Sequence, residues 1–299
     1  MDNVVEQKKM KNTMKKRTRQ SIFITIGPVY TWMTLFLTVP LLLIVVISFM
    51  QRGLYGGIVY EPTIKNYVAL IDPMYMKVFG TSLIIAIGTT ILCLLIAYPF
   101  SYFLVKVSNK YRNILMLLII IPFWTNSLVR VYAWIVLLRS EGVINTILLN
   151  VKFIDEPIKM LYSYGAIFLG MIYTLLPFMI LPLYSSIEKL DVALLEAADD
   201  LGASTWQTFR HVTLPLTIPG IIAGSLLVFI PSLGYFFIPD LMGGGKHMII
   251  GNLIKNQFLT ARNWPFGSAL ALILILITLG FVMIYLKLVG GDKDDMGVM

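Results

Sequence analysis

The chain has 299 residues, 58% of them hydrophobic and only 13% charged, with a formal net charge of +8. A soluble domain is roughly 45–50% apolar and about 25% charged, so this composition excludes a water-soluble globule and requires much of the surface to face lipid. One cysteine and two isolated histidines, His211 and His247, exclude a disulfide framework and offer no metal-ligand cluster.

Residues 1–20 form a basic arm, with seven Lys and Arg between positions 8 and 19. Such arms can bind nucleic acid, but this one runs straight into an apolar stretch and reads as a cytoplasmic anchor facing anionic headgroups. A helix needs about 20 apolar residues to cross roughly 30 Å of hydrocarbon. Six runs satisfy this: 22–49, 79–105, 113–138, 164–184, 216–239 and 266–289. Helices satisfy their own backbone in lipid, so the expected class is an all-α membrane protein with six crossings. The first run is too long for the apolar core of a signal peptide, and no A-x-A site follows it. Residues 21–289 therefore read as a single transmembrane domain with a short tail at 290–299.

Orientation follows from Lys and Arg in the connections. With the N-terminus inside, fourteen lie on the cytoplasmic side and nine outside. Three of the inner ones crowd into 106–112. Both termini are thus placed in the cytoplasm. All 16 acidic residues lie outside the six runs, with Asp240 at the edge of the fifth. A proton-coupled carrier usually needs intramembrane carboxylates, so the energy is expected to come from another protein. Prolines punctuate the runs: Pro28, Pro40, Pro99, Pro122, Pro177, Pro182, Pro219 and Pro231. Each removes a backbone donor and bends its helix, which suits a moving bundle around a pathway. Gly220 and Gly224 form a small-xxx-small pair for close helix approach.

The inner connection 185–215 is too well patterned for a loop. Asp191 suits an N-cap. Leu194, Leu195, Ala198 and Leu201 then share one helical face, while Glu196, Asp199 and Asp200 point away. Gly202 suits a C-terminal stop, and Ser204 with Gln207 a second capping box. A second short helix is expected to present Trp206, Phe209 and Arg210 and to end at Pro215. Exposed aromatics beside a polar rim mark a docking surface. An interfacial helix lying on lipid is the alternative, but five acids against two bases in this loop oppose anionic headgroups.

Glu196-Ala197-Ala198, then Gly202, then nine residues, then Val212-Thr213-Leu214-Pro215 resembles the EAA motif of ABC importer permeases, with Val in place of Ile. Resemblance to that family implies the type I importer permease architecture, in which this loop is a coupling-helix pair seated on an ATP-binding subunit. It gives that role to Glu196, Ala197, Ala198, Asp200, Gly202, Trp206, Leu214 and Pro215. Longer strings are similar to the B-type permeases of spermidine/putrescine importers: Ile121-Pro-Phe-Trp-Thr-Asn-Ser-Leu-Val-Arg-Val-Tyr132, Leu181-Pro-Leu-Tyr-Ser-Ser-Ile-Glu-Lys-Leu-Asp191, Asp240-Leu-Met-Gly-Gly-Gly-Lys246, Ile250-Gly-Asn-Leu-Ile-Lys255 and Trp264-Pro-Phe-Gly267. This likeness implies a bacterial plasma-membrane location, a paralogous C-type permease, an ATP-binding subunit dimer and an extracytoplasmic polyamine-binding protein. It implies no cofactor in this chain and no nucleic-acid partner.

Aromatic faces attract ammonium groups. Trp124 and Asn126, beside the break at Pro122, are candidate pathway residues, with Tyr67 and Asp240 at the outer side. Belt anchoring at the interface is the alternative for Trp124 and Tyr67. Arg130 repels a polycation and is expected to snorkel outward or to pair with an acid, including one from a partner. Gly243-Gly244-Gly245-Lys246 imitates part of a phosphate loop, but His247 stands where Ser or Thr is required. No catalytic constellation is present, so the chain reads as a non-enzymatic transport subunit. An importer for another small solute and a self-sufficient carrier or channel remain as the other readings.

Overall fold

The computed structural model describes residues 26–290. The basic arm at 1–20, the opening residues of the first apolar run and all but the start of the tail at 290–299 lie outside the described residues. Six helical stretches are long and apolar enough to span a bilayer, the expected number, but the third is Ser127–Asn150 rather than 113–138 and takes in Arg139 and Glu141 from the expected outer connection. These are α1 (Ile26–Ser48), α3 (Pro73–Lys106), α5 and α6 together (Ser127–Leu138 and Val143–Asn150), α7 (Tyr164–Glu188), a composite Thr205–Gly234, and α13 (Trp264–Gly290). A two-residue antiparallel pairing, β1 (Gln51–Arg52) with β2 (Ile58–Val59), and the short α2 (Lys65–Ala69) lie between α1 and α3.

α7 is the axis of the molecule. It is the most buried of the six, and α3 and α10 (Leu214–Gly234) pack along it. Cys93, Ala97 and Leu104 of α3 meet Leu175, Met179, Ile180 and Leu183 of α7 and Val228 of α10. Glycine makes the close α7–α10 approach possible. A Cβ on Gly220 would stand 2.4 Å from Ser186 Cβ, and one on Gly224 2.7 Å from Met179 Sδ. The expected small-residue stripe is therefore a real helix contact. α1, by contrast, exposes nearly its whole surface.

Three boundaries differ from the sequence expectation. The 113–138 run is two helices, α4 (Asn109–Ile120) and α5, joined by a 3₁₀ turn at Ile121–Trp124. Pro122 supplies no donor to the α ladder. The chain restarts at Asn126, whose side chain caps α5 by accepting from Leu128 N at 2.8 Å. α10 stops at Gly234 rather than 239. Tyr235 is extended and a separate short helix, α11 (Phe237–Met242), follows, its Phe236 carbonyl accepting from Asp240 N at 3.1 Å and from the buried Asn252 Nδ2 at 2.7 Å. α12 (Ile250–Leu259) then packs under α13, burying Ile250, Leu253, Phe266, Ala269 and Leu270.

The third difference is at Pro215, which does not end a helix. α9 (Thr205–Thr208), a π-helical turn at Phe209–Thr213 and α10 form one uninterrupted helix. The ring of an internal proline clashes with the carbonyl four residues back. The widened turn, in which Leu214 N–H bonds Phe209 O five residues back, relaxes the ladder just where Pro215 enters it.

Candidate functional site

The inner connection folds into an elbow whose local geometry follows its sequence closely. Asp191 accepts from Ala193 N at 3.0 Å and caps α8 (Val192–Asp200). α8 closes in a Schellman arrangement: Ala203 N bonds Ala198 O at 3.0 Å and Gly202 N bonds Asp199 O at 2.9 Å. Gly202 sits at φ +78°, the left-handed region that glycine enters without strain. Ser204 N then donates to Gln207 Oε1 at 2.8 Å and Gln207 N to Ser204 Oγ at 3.4 Å, completing the capping box that opens α9. The elbow is thus two helices with a conformationally fixed joint.

What the elbow buries and what it presents are distinct. Ala198 is buried, and Leu195 partly so. Leu201 is 88% exposed and Trp206 67%, far more apolar surface than a finished contact leaves open. Trp206 stacks on Phe209, which meets Tyr98 of α3 edge-on at 5.6 Å. The Tyr98 hydroxyl lies 2.9 Å from Thr217 Oγ1, tying the elbow's aromatic edge to α3 and α10. An apolar recess of about 470 Å³ lies beneath, lined by Leu94, Tyr98, Pro99, Trp206 and Phe209 among others. On the other side an open groove of about 580 Å³ runs between the end of α7, the start of α8 and α10, past Lys189, Asp191, Leu194 and Pro219.

The charges are also sorted. Glu188 is held by Arg112 at 3.3 Å, and Arg112 also donates to Asn109 Oδ1 at 2.6 Å. This clamp pins the start of α4 to the end of α7. Asp191 is used as a cap. Glu196, Asp199 and Asp200 are exposed and take no part in an ion pair among the described residues. Leu214 and Pro215 lie in the continuous helix beyond the elbow.

The four candidate pathway residues are not gathered into one site. Trp124 is 83% exposed at the end of the 3₁₀ turn. Asn126 is exposed beside it, with its side-chain oxygen engaged in capping α5. Tyr67 is half-buried, with its hydroxyl 2.6 Å from Ser48 Oγ and its ring against Phe49, so it ties α2 to the end of α1. Asp240 forms an ion pair with Lys255 and accepts a hydrogen bond from Asn252. Its charge is neutralised within the chain.

Arg130 does not snorkel outward. Its guanidinium lies between Phe123, 5.1 Å away, and Tyr173, 5.9 Å away, and its Nε and Nη1 are buried without hydrogen-bond partners. No carboxylate among the described residues pairs with it. Sequence reasoning missed the Arg112–Glu188 clamp, the Asn252–Asp240–Lys255 knot and the role of Asn145, the one buried residue of the helix Val143–Asn150. No group of three His, Cys, Asp or Glu that could hold a metal ion occurs among the described residues.

Comparison with known proteins sharpens this geometry. Residues 94–289 match the family described as the binding-protein-dependent transport system inner membrane component. The chain is 46% identical over 264 residues to the spermidine/putrescine transport system permease protein PotB of Haemophilus influenzae, covering 88% of this chain and 92% of that one. It is 47% identical over 254 residues to the protein of the same name from Escherichia coli, covering 85% and 92%. The inner membrane ABC transporter permease protein YdcU of Escherichia coli is 36% identical over 237 residues, covering 74% and 75%. In fold, the chain resembles a crystal structure of a bacterial alginate ABC transporter in complex with an alginate pentasaccharide-bound periplasmic protein, with a TM-score of 0.76, 16% identity and coverage of 92% and 96%.

Proposed function

Because the chain belongs to the binding-protein-dependent transport system inner membrane component family, we propose that it is the B-type permease of an importer for spermidine and putrescine. It is a multi-pass inner-membrane protein and a non-catalytic transport subunit; the nucleotide chemistry belongs to a separate chain. The substrate reading rests on relatives named for spermidine/putrescine transport at 46–47% identity over most of both chains. The coupling reading rests on one observation, the preorganised elbow at 185–215 with its exposed Trp206, Leu201 and acidic rim.

In this reading the ATP-binding subunits form a dimer with two clefts, and a C-type permease supplies the second elbow. Glu196 and Asp200 of α8 face basic groups of the ATPase, while Ala197 and Ala198 keep the helix slim enough to seat. The joint at Gly202 holds α8 and α9 at a fixed angle, so movement of the cleft reaches α9 without being absorbed. α9 continues through Leu214 and Pro215 into α10, which packs on α7 and α3. Closure of the ATPase is thereby converted into displacement of the helices around the pathway. Trp124 presents its ring to a passing ammonium group, with Asn126 beside it as a hydrogen-bonding neighbour.

Reconstitution tests this directly. The chain, its C-type partner and the ATPase in liposomes should take up labelled spermidine only with ATP and the binding protein. Uptake by the chain alone would identify a self-sufficient carrier. Uptake of a different solute with full indifference to polyamine competitors would remove the substrate assignment.

A further inference from the structure

Arg130 is a charge at membrane depth that this chain leaves without an anion. It sits in the first turn of α5, just past the 3₁₀ break. Two of its three guanidinium nitrogens, Nε and Nη1, are buried and make no hydrogen bond. The rings beside it are themselves braced, Phe123 edge-on to Phe178 at 5.3 Å and Tyr173 edge-on to Trp134 at 5.5 Å. Aromatic faces offset only part of the cost of burying a cation. The helix start adds to that cost, because the positive end of the α5 dipole meets the same charge.

Tyr173 fixes the depth. Along α7 it stands roughly 22 Å from Glu188 at one end and roughly 14 Å from Tyr164 at the other. Lipid phosphates lie at the surfaces of the hydrocarbon layer, not at this level. The ATP-binding subunit and the binding protein lie outside the layer, and the cargo is itself a cation. The acids of this chain that border the crossings are placed elsewhere. Glu141 is exposed beyond the far end of α5, Glu188 is clamped by Arg112, and Asp240 is taken by Lys255 and Asn252. A second copy of the chain is no better a source. All 16 acidic residues lie outside the six apolar runs, so a copy brings acid-free crossings and a second buried cation.

Resting on the importer reading above, we infer that the second permease is a different chain and that it places a carboxylate from one of its own membrane segments on Arg130. Intramembrane charges persist where they pair inside a bundle. The surface beside Arg130 is open for such a helix, since Leu128, Val129, Tyr132 and Val136 of α5 are all exposed. The pair neutralises a charge that otherwise repels polyamine from the middle of the membrane. It also selects the partner, because a permease without the carboxylate leaves the guanidinium buried and unpaired.

The test uses the complete importer, extracted through a tag on this chain, and follows release of the second permease in detergent by quantitative mass spectrometry. Arg130→Gln strands the opposing carboxylate and should shorten the half-life of the permease pair by at least about tenfold. In parallel, each Asp and Glu in the membrane segments of the second permease is changed to Asn or Gln. One of these changes should reproduce the loss. Combined with Arg130→Gln, it should bring the half-life back to within about threefold of the unmodified complex, because neither side then carries a charge. If the Arg130→Gln chain does not accumulate, the partner-side changes leave this chain intact and still decide the matter; a half-life indifferent to all of them overturns the proposal. An unchanged half-life in Arg130→Gln overturns it too. So does a loss that no partner carboxylate shares, which makes the guanidinium an internal brace between Phe123 and Tyr173. Recovery of only further copies of this chain overturns the inference while leaving an importer with identical permeases. If the unmodified chain brings down neither a permease nor an ATPase, the importer reading fails instead.

Discussion

Replacing Gly202 isolates the elbow's geometry from its contacts. The residue stands at φ +78°, and no heavy atom lies within 4 Å of the place a Cβ would take. A side chain there meets no clash, so the penalty is conformational alone, about 1–2 kcal/mol for an L-residue in the left-handed region. That shifts the population of the native joint by about 5- to 30-fold. Gly202→Val should therefore weaken binding of the ATPase to the permease pair by about that factor, with Gly202→Ala slightly milder. Asn tolerates this region, so Gly202→Asn should lose only about two- to threefold. The assay is titration of the ATPase onto nanodisc-embedded permeases, with membrane abundance unchanged as the control. Equal affinity for the Gly, Ala and Val forms, or an Asn form as weak as Val, refutes the argument that the joint's angle is what the ATPase reads.

Three further outcomes follow from named contacts. Glu196→Lys reverses an exposed, unpaired charge on α8 and should cut spermidine uptake by more than about tenfold while ATP hydrolysis persists; normal uptake with the ATPase bound defeats the docking role. Trp124→Ala should lower uptake by about two- to tenfold without loss of assembly, the scale of a cation–π contact; undiminished uptake at normal membrane levels argues for belt anchoring instead. Gly220→Leu forces a side chain into Ser186 and the Pro182 carbonyl. Overpacking of this kind costs about 1–3 kcal/mol or more, and immunoblots of membranes should show a depleted chain. Full abundance would mean that α7 and α10 can separate.

The elbow was legible because its signals are local. A cap, a glycine stop and a capping box each act within four residues, so Asp191, Gly202 and the Ser204–Gln207 pair could be read from spacing. The number of crossings was legible because lipid thickness imposes a length. What stayed hidden depends on long-range packing or on how a ladder adapts. Pro215 looked like a terminator because a proline removes a donor; the π turn at Phe209–Thr213 that admits it has no sequence mark. The partners of Asp240 lie 12 and 15 positions away, and nothing in periodicity selects Asn252 and Lys255 over other polar residues. Tyr67 looked like an outer-mouth aromatic, yet its hydroxyl is committed to Ser48, a pairing visible only once α2 folds back on α1.

The unbroken helix from Thr205 to Gly234 is also a lever. Its 30 residues span roughly 45 Å. Each degree of tilt about the cytoplasmic tip sweeps the far end by roughly 0.8 Å. That far end leads directly into α11 and the Asp240 knot, so a modest nudge on the tryptophan tip is magnified at the opposite membrane face. Under the proposed coupling role, a rigid tilt of this one helix would be enough to report nucleotide state across the bilayer.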